Sequence, residues 1–500
     1  ASRAVDPSVA GPAGAAPAMT PLAHAALLLL SLALLAPCGT PDVDAPVEEE
    51  TPGGERVEAS AAPVSASAEA PAGGSAAEVV APEPVEPPAP APPPDPVLAL
   101  EAQSIHAPLT SAVAQRIRAV AARRELRDDV FAKLGGSSVE SHAFLHCFSR
   151  DDLVDLGGRD DLRETLELFR GGRAGGSNPY RRESVAAGVG WSLRQGLAGR
   201  PPRALQEIRE TRARWALAFF GGNDVQARDP YTFAERLAKL SDQLERQGVV
   251  PVLGAVLPRG DDPEMDVWAR RYNRISRSLA RALALPYIDF DLAVRDLPHQ
   301  GLAGDGVHPN VHQVDGRGRP CVFDEVGLTH GQNQRNLRTL EALDRLRRVL
   351  AGEEPPDPEP APLFGGGTAD EPLRVATMPF GDRQPYAVLT AQLDGYACEP
   401  TREVRTPGEA PGPERVYRVR VEEPTRVLVA GFARRGEARV YLLGDAPDPA
   451  SCVRFGDAFE VELSPGVHHF VVESMAPARR REDADVVFLL DAAVEDATEG

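Results

Sequence analysis

Residues 304–310 read Gly-Asp-Gly-Val-His-Pro-Asn, and this stretch decides how the chain is interpreted. It places Asp305 three residues before His308, in a loop bounded by glycine and proline that follows a predicted strand. Acyl transfer needs a base that takes up a hydroxyl proton near neutral pH, and a carboxylate that fixes the tautomer of that base. One tight loop can supply both groups. The stretch therefore predicts one end of a catalytic site.

Two other strand-end loops carry polar residues that suit the same chemistry. Apolar residues 215–220 predict a buried strand that runs into Gly-Gly-Asn-Asp at 221–224. Upstream, residues 130–134 predict a strand that ends in Gly-Gly-Ser-Ser at 135–138. Each loop by itself would be a turn or a helix cap, because Asn, Asp, Gly and Ser are common there. Three such loops in succession favour a shared functional site.

In this order, the three blocks resemble the SGNH (GDSL-type) hydrolase superfamily. The family pattern has Gly-Asp-Ser near the start, then a glycine block, then Gly-x-Asn-Asp, and finally Asp-x-x-His. The resemblance covers residues 125–350. It implies a serine esterase in which Ser137 is the nucleophile, His308 is its base and Asp305 orients the imidazole.

The first block departs from the family pattern, because Gly136 stands where the family has Asp. Ser138 is then the alternative nucleophile, if the turn is offset by one residue. The family Asp is not a member of the triad, so its loss does not by itself remove the chemistry. It does leave open an inactive site.

The resemblance also implies three donors for the oxyanion that forms during acyl transfer. They are the N–H of Ser137, the N–H of a glycine in the second block, and the side chain of Asn223. Residues 186–191 read Ala-Ala-Gly-Val-Gly-Trp, so this glycine is Gly190, with Gly188 as the alternative. We predict no cofactor and no metal, since the sequence shows no phosphate-binding glycine loop and no Cys-x-x-Cys pair.

Apolar residues alternate between strand-like runs and helical stripes over the same region. Residues 249–257 and 287–290 predict strands, whereas apolar residues at helical spacing predict helices near 233–244, 268–283 and 337–350. The pattern predicts an α/β fold, a three-layer flavodoxin-like parallel sheet with helices on both faces. Ligands of such sheets bind at the carboxyl ends of the strands, where the three loops lie.

The first hundred residues carry patterns that predict where in the cell the protein is sent. Apolar residues 27–35 are too few for a bilayer span of about 20 residues and predict the core of an export signal. Residues 35–39, Leu-Ala-Pro-Cys-Gly, resemble a bacterial lipobox, which implies cleavage before Cys38 and attachment of lipid to it. Pro37 is unusual in a lipobox, and no Lys or Arg lies between Met19 and the apolar run. A plain signal peptide and an uncleaved anchor are therefore the alternatives.

Composition divides the chain into five parts. Residues 1–38 are a leader and lipoprotein-type signal peptide, 39–103 a disordered Pro/Ala/Glu linker, and 104–352 the SGNH hydrolase domain. Residues 353–371 are a second linker. Residues 372–494 form a smaller all-β sandwich, because short alternating strands separated by Gly and Pro are typical of one. This last part resembles a bacterial pre-peptidase C-terminal domain.

Charge and cysteine content bound the partners and the compartment. The net charge of −20 argues against nucleic acid or anionic lipid as a partner. Besides Cys38 there are four cysteines, and an exported chain could pair Cys398 with Cys452 and Cys147 with Cys321. We predict a monomer that its lipid anchors to a membrane of the cell envelope, periplasmic or at the cell surface. A secreted enzyme is the alternative.

The sequence thus predicts an exported serine esterase that hydrolyses small acyl esters, including acetyl esters of polysaccharides. Two other classes stay open. An inactive SGNH scaffold would bind glycans or proteins at the cell surface. A lipase or lysophospholipase would need an apolar acyl groove, which the sequence does not display.

Overall fold

Buried strands and helices alternate from residue 127 to residue 288, as the apolar pattern predicts. The computed structural model describes residues 94–360, 362–398, 412–434, 436–475 and 485–495. The predictions about the leader, Cys38 and the linker up to residue 93 lie outside the described residues. All of the described residues belong to one folded unit.

The described chain contains helices and strands with the following bounds. The α-helices are α1 (Ser111–Ala121), α2 (Ser137–Glu140), α3 (Arg163–Gly171), α4 (Leu193–Gly196), α5 (Arg203–Thr211), α6 (Pro230–Arg246), α7 (Pro263–Leu283), α8 (Phe290–Val294) and α9 (Gly331–Ala351). The strands are β1 (Ala99–Leu100), β2 (Arg127–Gly135), β3 (Ala213–Phe219), β4 (Val250–Gly254), β5 (Tyr287–Ile288), β6 (Gln313–Val314), β7 (Arg317–Gly318), β8 (Leu373–Val375), β9 (Thr377–Met378), β10 (Phe380–Pro385), β11 (Glu414–Val421), β12 (Thr425–Ala433), β13 (Ala438–Leu443), β14 (Cys452–Gly456), β15 (Ala458–Leu463), β16 (Gly466–Ser474) and β17 (Asp485–Ala492). None of these helices is both long and apolar enough to span a bilayer.

Strands β2 to β5 form a parallel sheet in the order β2–β3–β4–β5. On the outer side of β2, Ala187 makes a parallel bridge to Gly135. The segment that follows β2 along the chain therefore takes the edge position, which gives the spatial order 2-1-3-4-5 of flavodoxin-like folds. Every residue of β3 is buried, which is typical of a parallel sheet covered on both faces. The predicted α/β fold class is confirmed.

Helices cover both faces of this sheet. On one face α9 packs against α1, α3 and β5, and on the other α6 packs against α5, α7 and β4. The local sequence explains where α7 begins and ends. Asp262 accepts hydrogen bonds from the N–H groups of Glu264 and Met265, and Ala284 ends the helix with a φ of 51°. The aromatic and aliphatic side chains between these caps lie mostly in the core.

Strand β8 and strands β10 to β17 form the predicted all-β sandwich. One sheet has the order β10–β17–β12–β15, and the other has the order β14–β13–β16–β11–β8, in which β8 pairs with β11 in parallel. Side chains from both sheets, Val419 and Phe488 among them, fill one core between the sheets. A disulfide joins Cys398 to Cys452 in this domain, the pair that the sequence allows.

The end of the first predicted linker is folded, which corrects the prediction of disorder for residues 94–103. Strand β1 pairs with β9, and Leu98 N–H donates to the Arg420 carbonyl at 2.8 Å. The Leu98 side chain is buried in the sandwich core, and Asp95 pairs with Arg374 at 3.2 Å. The buried Leu98 and the ion pairs of Asp95 with Arg374 and Arg418 give this segment contacts that its composition does not reveal.

Part of the second predicted linker, residues 353–371, also packs against the α/β domain. Asp357 accepts hydrogen bonds from Leu109 N–H at 2.6 Å and from Arg345 at 2.7 Å. A charged side chain can thus dock a segment that is rich in proline and acidic residues.

The sandwich is fixed to the α/β domain along helix α7. Strands β10 and β17 contact this helix, and Leu428, Phe432 and Leu489 of the sandwich join the hydrophobic core of the α/β domain. Arg271 pairs with Glu460 across the contact at 2.8 Å. The shared core holds the two domains as one body.

Candidate active site

The three loops singled out in the sequence meet around one pocket. Strand β2 leads into Ser137, strand β3 leads into Asn223, and His308 belongs to the loop 304–310. All three side chains line the pocket. The structure thus brings together Ser137, Asn223 and His308, which the sequence assigns to one site.

Ser137 is the first residue of the one-turn helix α2. The N–H of Val139 donates to the Gly136 carbonyl at 3.0 Å, which closes the turn. At Gly135 an added Cβ would lie 2.5 Å from Val139 Cγ2 and 2.6 Å from the Phe219 carbonyl oxygen. Only glycine fits this position. The absence of a side chain lets the turn after strand β2 pack closely and present Ser137 at the end of the strand.

A hydrogen-bonded chain joins Ser137, His308 and Asp305. Ser137 Oγ lies 2.8 Å from His308 Nε2, and His308 Nδ1 lies 2.8 Å from Asp305 Oδ2. An ionised carboxylate can only accept, so Nδ1 carries the ring proton and Nε2 is left to accept from the serine hydroxyl. Of the two serines that the sequence left open, the hydroxyl of Ser137, and not that of Ser138, contacts His308.

Asp305 is held within its own loop. Its Oδ1 accepts hydrogen bonds from the N–H groups of Val307 and His308, both at 3.0 Å. These backbone hydrogen bonds, together with the His308 ring, lower the pKa of Asp305 to about 2. The side chain is 52 % exposed, so local hydrogen bonds and not burial set its charge. Asp305 is therefore ionised at neutral pH.

Gly306 gives this loop its shape. Its φ is +68°, and an added Cβ would lie 2.5 Å from the Asp261 nitrogen. The Gly306 carbonyl accepts from Gly260 N–H at 2.8 Å, which ties the loop to the segment after β4. Within the loop, Ala303 N–H donates to the His308 carbonyl at 2.8 Å. The backbone on both sides of His308 is thus fixed.

Asn223 lies beside the turn that carries Ser137. Its Nδ2 donates to the Trp191 carbonyl at 3.0 Å, which fixes the plane of the amide. The next residue, Asp224, is buried and accepts from the N–H groups of Leu193 and Gly221. Burial is the larger influence and raises the pKa of Asp224 to about 6. Two neighbouring side chains thus connect the loop after β3 to the second block.

The two glycines proposed for the second block differ in what their N–H groups do. Gly188 N–H donates to the Gly135 carbonyl at 3.2 Å. Gly190 has a φ of +74°, and within the described residues its N–H makes no backbone hydrogen bond. Neither glycine lines the pocket of Ser137 and Asn223. Gly190 is the better candidate donor, and its role stays a prediction.

Known proteins match the part of the chain that holds most of this site. Residues 170–312 match the GDSL-like Lipase/Acylhydrolase family. The chain contains a GDSL-like acylhydrolase domain. This domain places it among the carboxylic ester hydrolases. The matched segment includes Asn223, Asp305 and His308 and begins after Ser137, and no curated protein sequence matches the chain.

Several solved esterase structures are similar to parts of the chain. A GDSL-like lipase from Bacteroides thetaiotaomicron is 14% identical, with 47% of this chain and 98% of that chain covered, at a TM-score of 0.29. A mutant of an acetyl-xylooligosaccharide esterase from Geobacillus Stearmophilus is 16% identical, with 31% and 69% covered, at a TM-score of 0.23. A two-domain esterase active on acetylated mannans is 14% identical, with 78% and 98% covered, at a TM-score of 0.26.

The pocket of the acylhydrolase domain is small, about 100 Å³. Ser137, Asn223 and His308 contribute polar groups to it, together with two arginines. Most of its other side chains are apolar and come from segments that follow β3, β4 and the Asp305 loop: Phe219, Phe220, Ala255, Val256, Leu257 and Val307. A short apolar group fits such a lining.

Two arginines of the pocket wall were not predicted from the sequence. Arg259 is neutralised, because it donates to both carboxylate oxygens of Asp261, at 2.7 and 2.6 Å. Arg335 is only 2% exposed, and its Nη1 donates to the Ser138 carbonyl at 2.6 Å. Burial lowers the pKa of Arg335 to about 9, which leaves it protonated at neutral pH. Neither residue lies in one of the sequence blocks, so no local pattern marks it.

A disulfide between Cys147 and Cys321 braces the acylhydrolase domain near this site. It joins the segment after α2 to the segment that follows the His308 loop, which is the second pairing that the sequence allows. Among the residues that the structure describes, no three His, Cys, Asp or Glu side chains form a metal site.

Proposed function

We propose that this protein is an exported serine esterase that hydrolyses small acyl esters, including acetyl esters of polysaccharides. Its catalytic triad would be Ser137, His308 and Asp305. The observation that carries the proposal is the hydrogen-bonded chain from Ser137 Oγ through the His308 ring to Asp305 Oδ2. Serine becomes a useful nucleophile only when an adjacent base takes its proton, and this chain supplies and orients that base.

The proposed reaction has two halves. Ser137 Oγ attacks the acyl carbonyl while His308 Nε2 takes its proton, and Asp305 stabilises the imidazolium. The proton then passes to the leaving alcohol oxygen as the ester C–O bond breaks, which leaves an acyl-serine. In the second half His308 deprotonates a water, which attacks the acyl carbon. The bond between this carbon and Ser137 Oγ then breaks, His308 returns the proton to Oγ, and the carboxylic acid is released. The N–H groups of Ser137 and Gly190 and the side chain of Asn223 would hold the oxyanion in both halves.

The size of the pocket supports a short acyl group. Sites for drug-sized ligands measure about 300–1,000 Å³, whereas the pocket beside Ser137 measures about 100 Å³. Its apolar lining suits a methyl group or a short alkyl chain. A lipase or lysophospholipase, one of the two alternatives, would need space for a long acyl chain.

The second alternative, an inactive scaffold, was motivated by Gly136. The geometry around Gly136 does not favour an inactive site, because Ser137 Oγ still lies 2.8 Å from His308 Nε2. We therefore favour an active enzyme.

Hydrolysis of 4-nitrophenyl acetate, butyrate and palmitate by the purified protein tests the proposal. We expect turnover to be fastest with the acetate, and Ser137→Ala to remove nearly all of it. Ser138→Ala is the matched control and should retain most of the activity. Undiminished turnover in Ser137→Ala would contradict the triad, and a preference for palmitate would favour the lipase.

Export and lipid anchoring belong to the same proposal. The disulfides Cys147–Cys321 and Cys398–Cys452 support an oxidising compartment, because disulfides persist mainly outside the cytosol. Stable attachment to a membrane takes about two lipid chains, so Cys38 should carry at least two. Mass spectrometry of the membrane-extracted protein tests this, with Cys38→Ala as the control that should leave the membrane or stay unprocessed. An unmodified N-terminus beyond Cys38 would point instead to a secreted enzyme.

A further inference from the structure

Arg335 is a buried cation without a carboxylate partner. Buried charges are normally paired, because an unpaired charge loses its hydration without compensation. Among the described residues no carboxylate forms an ion pair with Arg335, and burial alone accounts for the shift of its pKa. Its environment is aromatic instead, with the guanidinium carbon 4.5–5.7 Å from the ring centroids of Phe144, Phe219 and Phe290. Its Nε has no hydrogen-bond partner within the described part of the chain.

Among the described residues, the guanidinium of Arg335 makes one hydrogen bond, which connects the side chain to the nucleophile turn. Its Nη1 donates to the carbonyl of Ser138, the residue after Ser137 in helix α2. Helix α2 has a single turn, so it has few hydrogen bonds of its own to resist displacement. A rigid side chain that binds its carbonyl therefore restrains where Ser137 Oγ lies.

Helix α9, which carries Arg335, also binds the loop that carries His308. Gly331 N–H donates to Asn310 Oδ1 at 2.7 Å, and Gln332 N–H donates to the Asn310 carbonyl at 2.9 Å. Asn310 lies two residues after His308. The first turns of α9 thus bind both partners of the Ser137–His308 contact, one through Asn310 and the other through Arg335.

We propose that Arg335 is a positioning residue that holds Ser137 against His308, and that its unneutralised charge favours anions in the pocket. This inference rests on the proposed function, because the anions concerned are the tetrahedral oxyanion and the carboxylate product of ester hydrolysis. The charge acts from a buried position on the pocket wall, where an electrostatic attraction is stronger than in water. Arg259 cannot take this part, since Asp261 neutralises it.

Kinetics of two variants test the positioning role. Arg335→Met keeps the length of the side chain without charge or N–H groups, and Arg335→Lys keeps the charge without the planar fork. With 4-nitrophenyl acetate we expect kcat of Arg335→Met to fall about 10- to 100-fold with KM within about threefold. Arg335→Lys should recover part of this loss. Arg338→Met is the matched control: this neighbour on α9 pairs with Glu341 at 3.0 Å, and its loss should leave kcat unchanged.

Binding of acetate tests the charge independently of turnover. In a Ser137→Ala background, calorimetry with sodium acetate should give a dissociation constant at least tenfold weaker when Arg335 is also Met, but little changed when it is Lys. This measurement tests the role of the charge even if the wild-type protein hydrolyses no aryl acetate. Such a lack of turnover would contradict the proposed function but not the role of the charge in binding anions.

Several results would overturn the inference. A folded Arg335→Met with kcat within twofold of wild type would contradict the positioning role. Equal acetate affinity with Arg and with Met at position 335, both in the Ser137→Ala background, would contradict the electrostatic role. A loss of kcat that only tracks the folded fraction, measured by circular dichroism, would mark Arg335 as a purely structural residue. If Arg335→Met does not fold, Arg335→Lys replaces it in both tests. A kcat of Arg335→Lys equal to that of wild type would contradict the positioning role, and weaker acetate binding by Arg335→Lys would contradict the role of the charge.

Discussion

The loop that carries His308 and the turn that carries Ser137 are built in different ways. In the base loop, Asp305 accepts its hydrogen bonds from residues two and three positions along the chain. The nucleophile turn depends on distant segments, because Asn223 lies against Gly136 and Arg335 binds Ser138 from helix α9. A catalytic feature built from local contacts can be recognised in a sequence, whereas one supported from a distance needs the fold.

Asp305→Asn should have the largest effect, because it removes the local element of the base loop. An amide in this place can donate to Nδ1, which would move the ring proton to Nε2 and deprive Ser137 of its acceptor. We expect kcat for an aryl acetate to fall about 10⁴-fold while circular dichroism still shows a folded protein. Asp296→Asn, at an exposed position before the same loop, is the control. A fall of less than tenfold would mean that His308 keeps its tautomer without Asp305.

Asn223→Ala tests the distant support of the nucleophile side. If its amide meets charge that develops only in the transition state, kcat should fall about 10²- to 10³-fold while KM changes little. Gln226→Ala, exposed in the turn that follows, is the control and should behave as wild type. A change confined to KM would assign Asn223 to substrate binding instead.

The same division explains how much could be predicted from the sequence. A continuous apolar run predicts β3, and apolar residues at helical spacing predict α7, because each pattern matches the way the element is buried. The sequence also predicts the pairing of Asp305 with His308, because both lie in one loop. It could not predict Arg335, whose contacts with Ser138 and three phenyl rings arise only when α9 packs on the sheet. Nor could it predict that residues 94–100 bind the sandwich, since Pro-rich composition hides the single buried Leu98.

Two carboxyl groups on the two sides of the site should respond to pH in opposite directions. Burial raises the pKa of Asp224 to about 6, so its charged form destabilises the folded state as pH rises from about 4 to about 6. Hydrogen bonds lower the pKa of Asp305 to about 2, so its contribution is present at pH 4 and above and is lost only as pH falls toward 2.

Urea unfolding between pH 4 and pH 7 separates these effects. The free energy of unfolding of the wild type, relative to Asp224→Asn, should decrease by up to about 3 kcal/mol as pH rises over this range. Asp305→Asn should leave the pH dependence over the same range unchanged. If the difference between wild type and Asp224→Asn stays constant with pH, Asp224 is already ionised below pH 4 and burial does not control it.

Gly136→Ala should have the smallest effect and bears most directly on the departure from the family pattern. The backbone at Gly136 has φ −89° and ψ −158°, which alanine adopts without strain. An added Cβ would lie 3.1 Å from the Trp191 carbonyl oxygen and 3.2 Å from Asn223 Nδ2, so both must move by a few tenths of an ångström. A displacement of about 1 Å can cost 10²-fold in rate, so we expect kcat to fall less than tenfold.

Gly136→Asp sharpens the same test, because it restores the residue type of the family. Its carboxylate would compete with the Trp191 carbonyl for the Asn223 amide, so we expect a larger loss of kcat than with alanine and an unchanged KM. Steady-state kinetics of both variants with an aryl acetate decide the matter. If Gly136→Asp raised kcat above wild type, the glycine would be a defect of this site. The expected order, wild type above Ala above Asp, would instead mean that the nucleophile turn is fitted to Asn223 through the absence of a side chain.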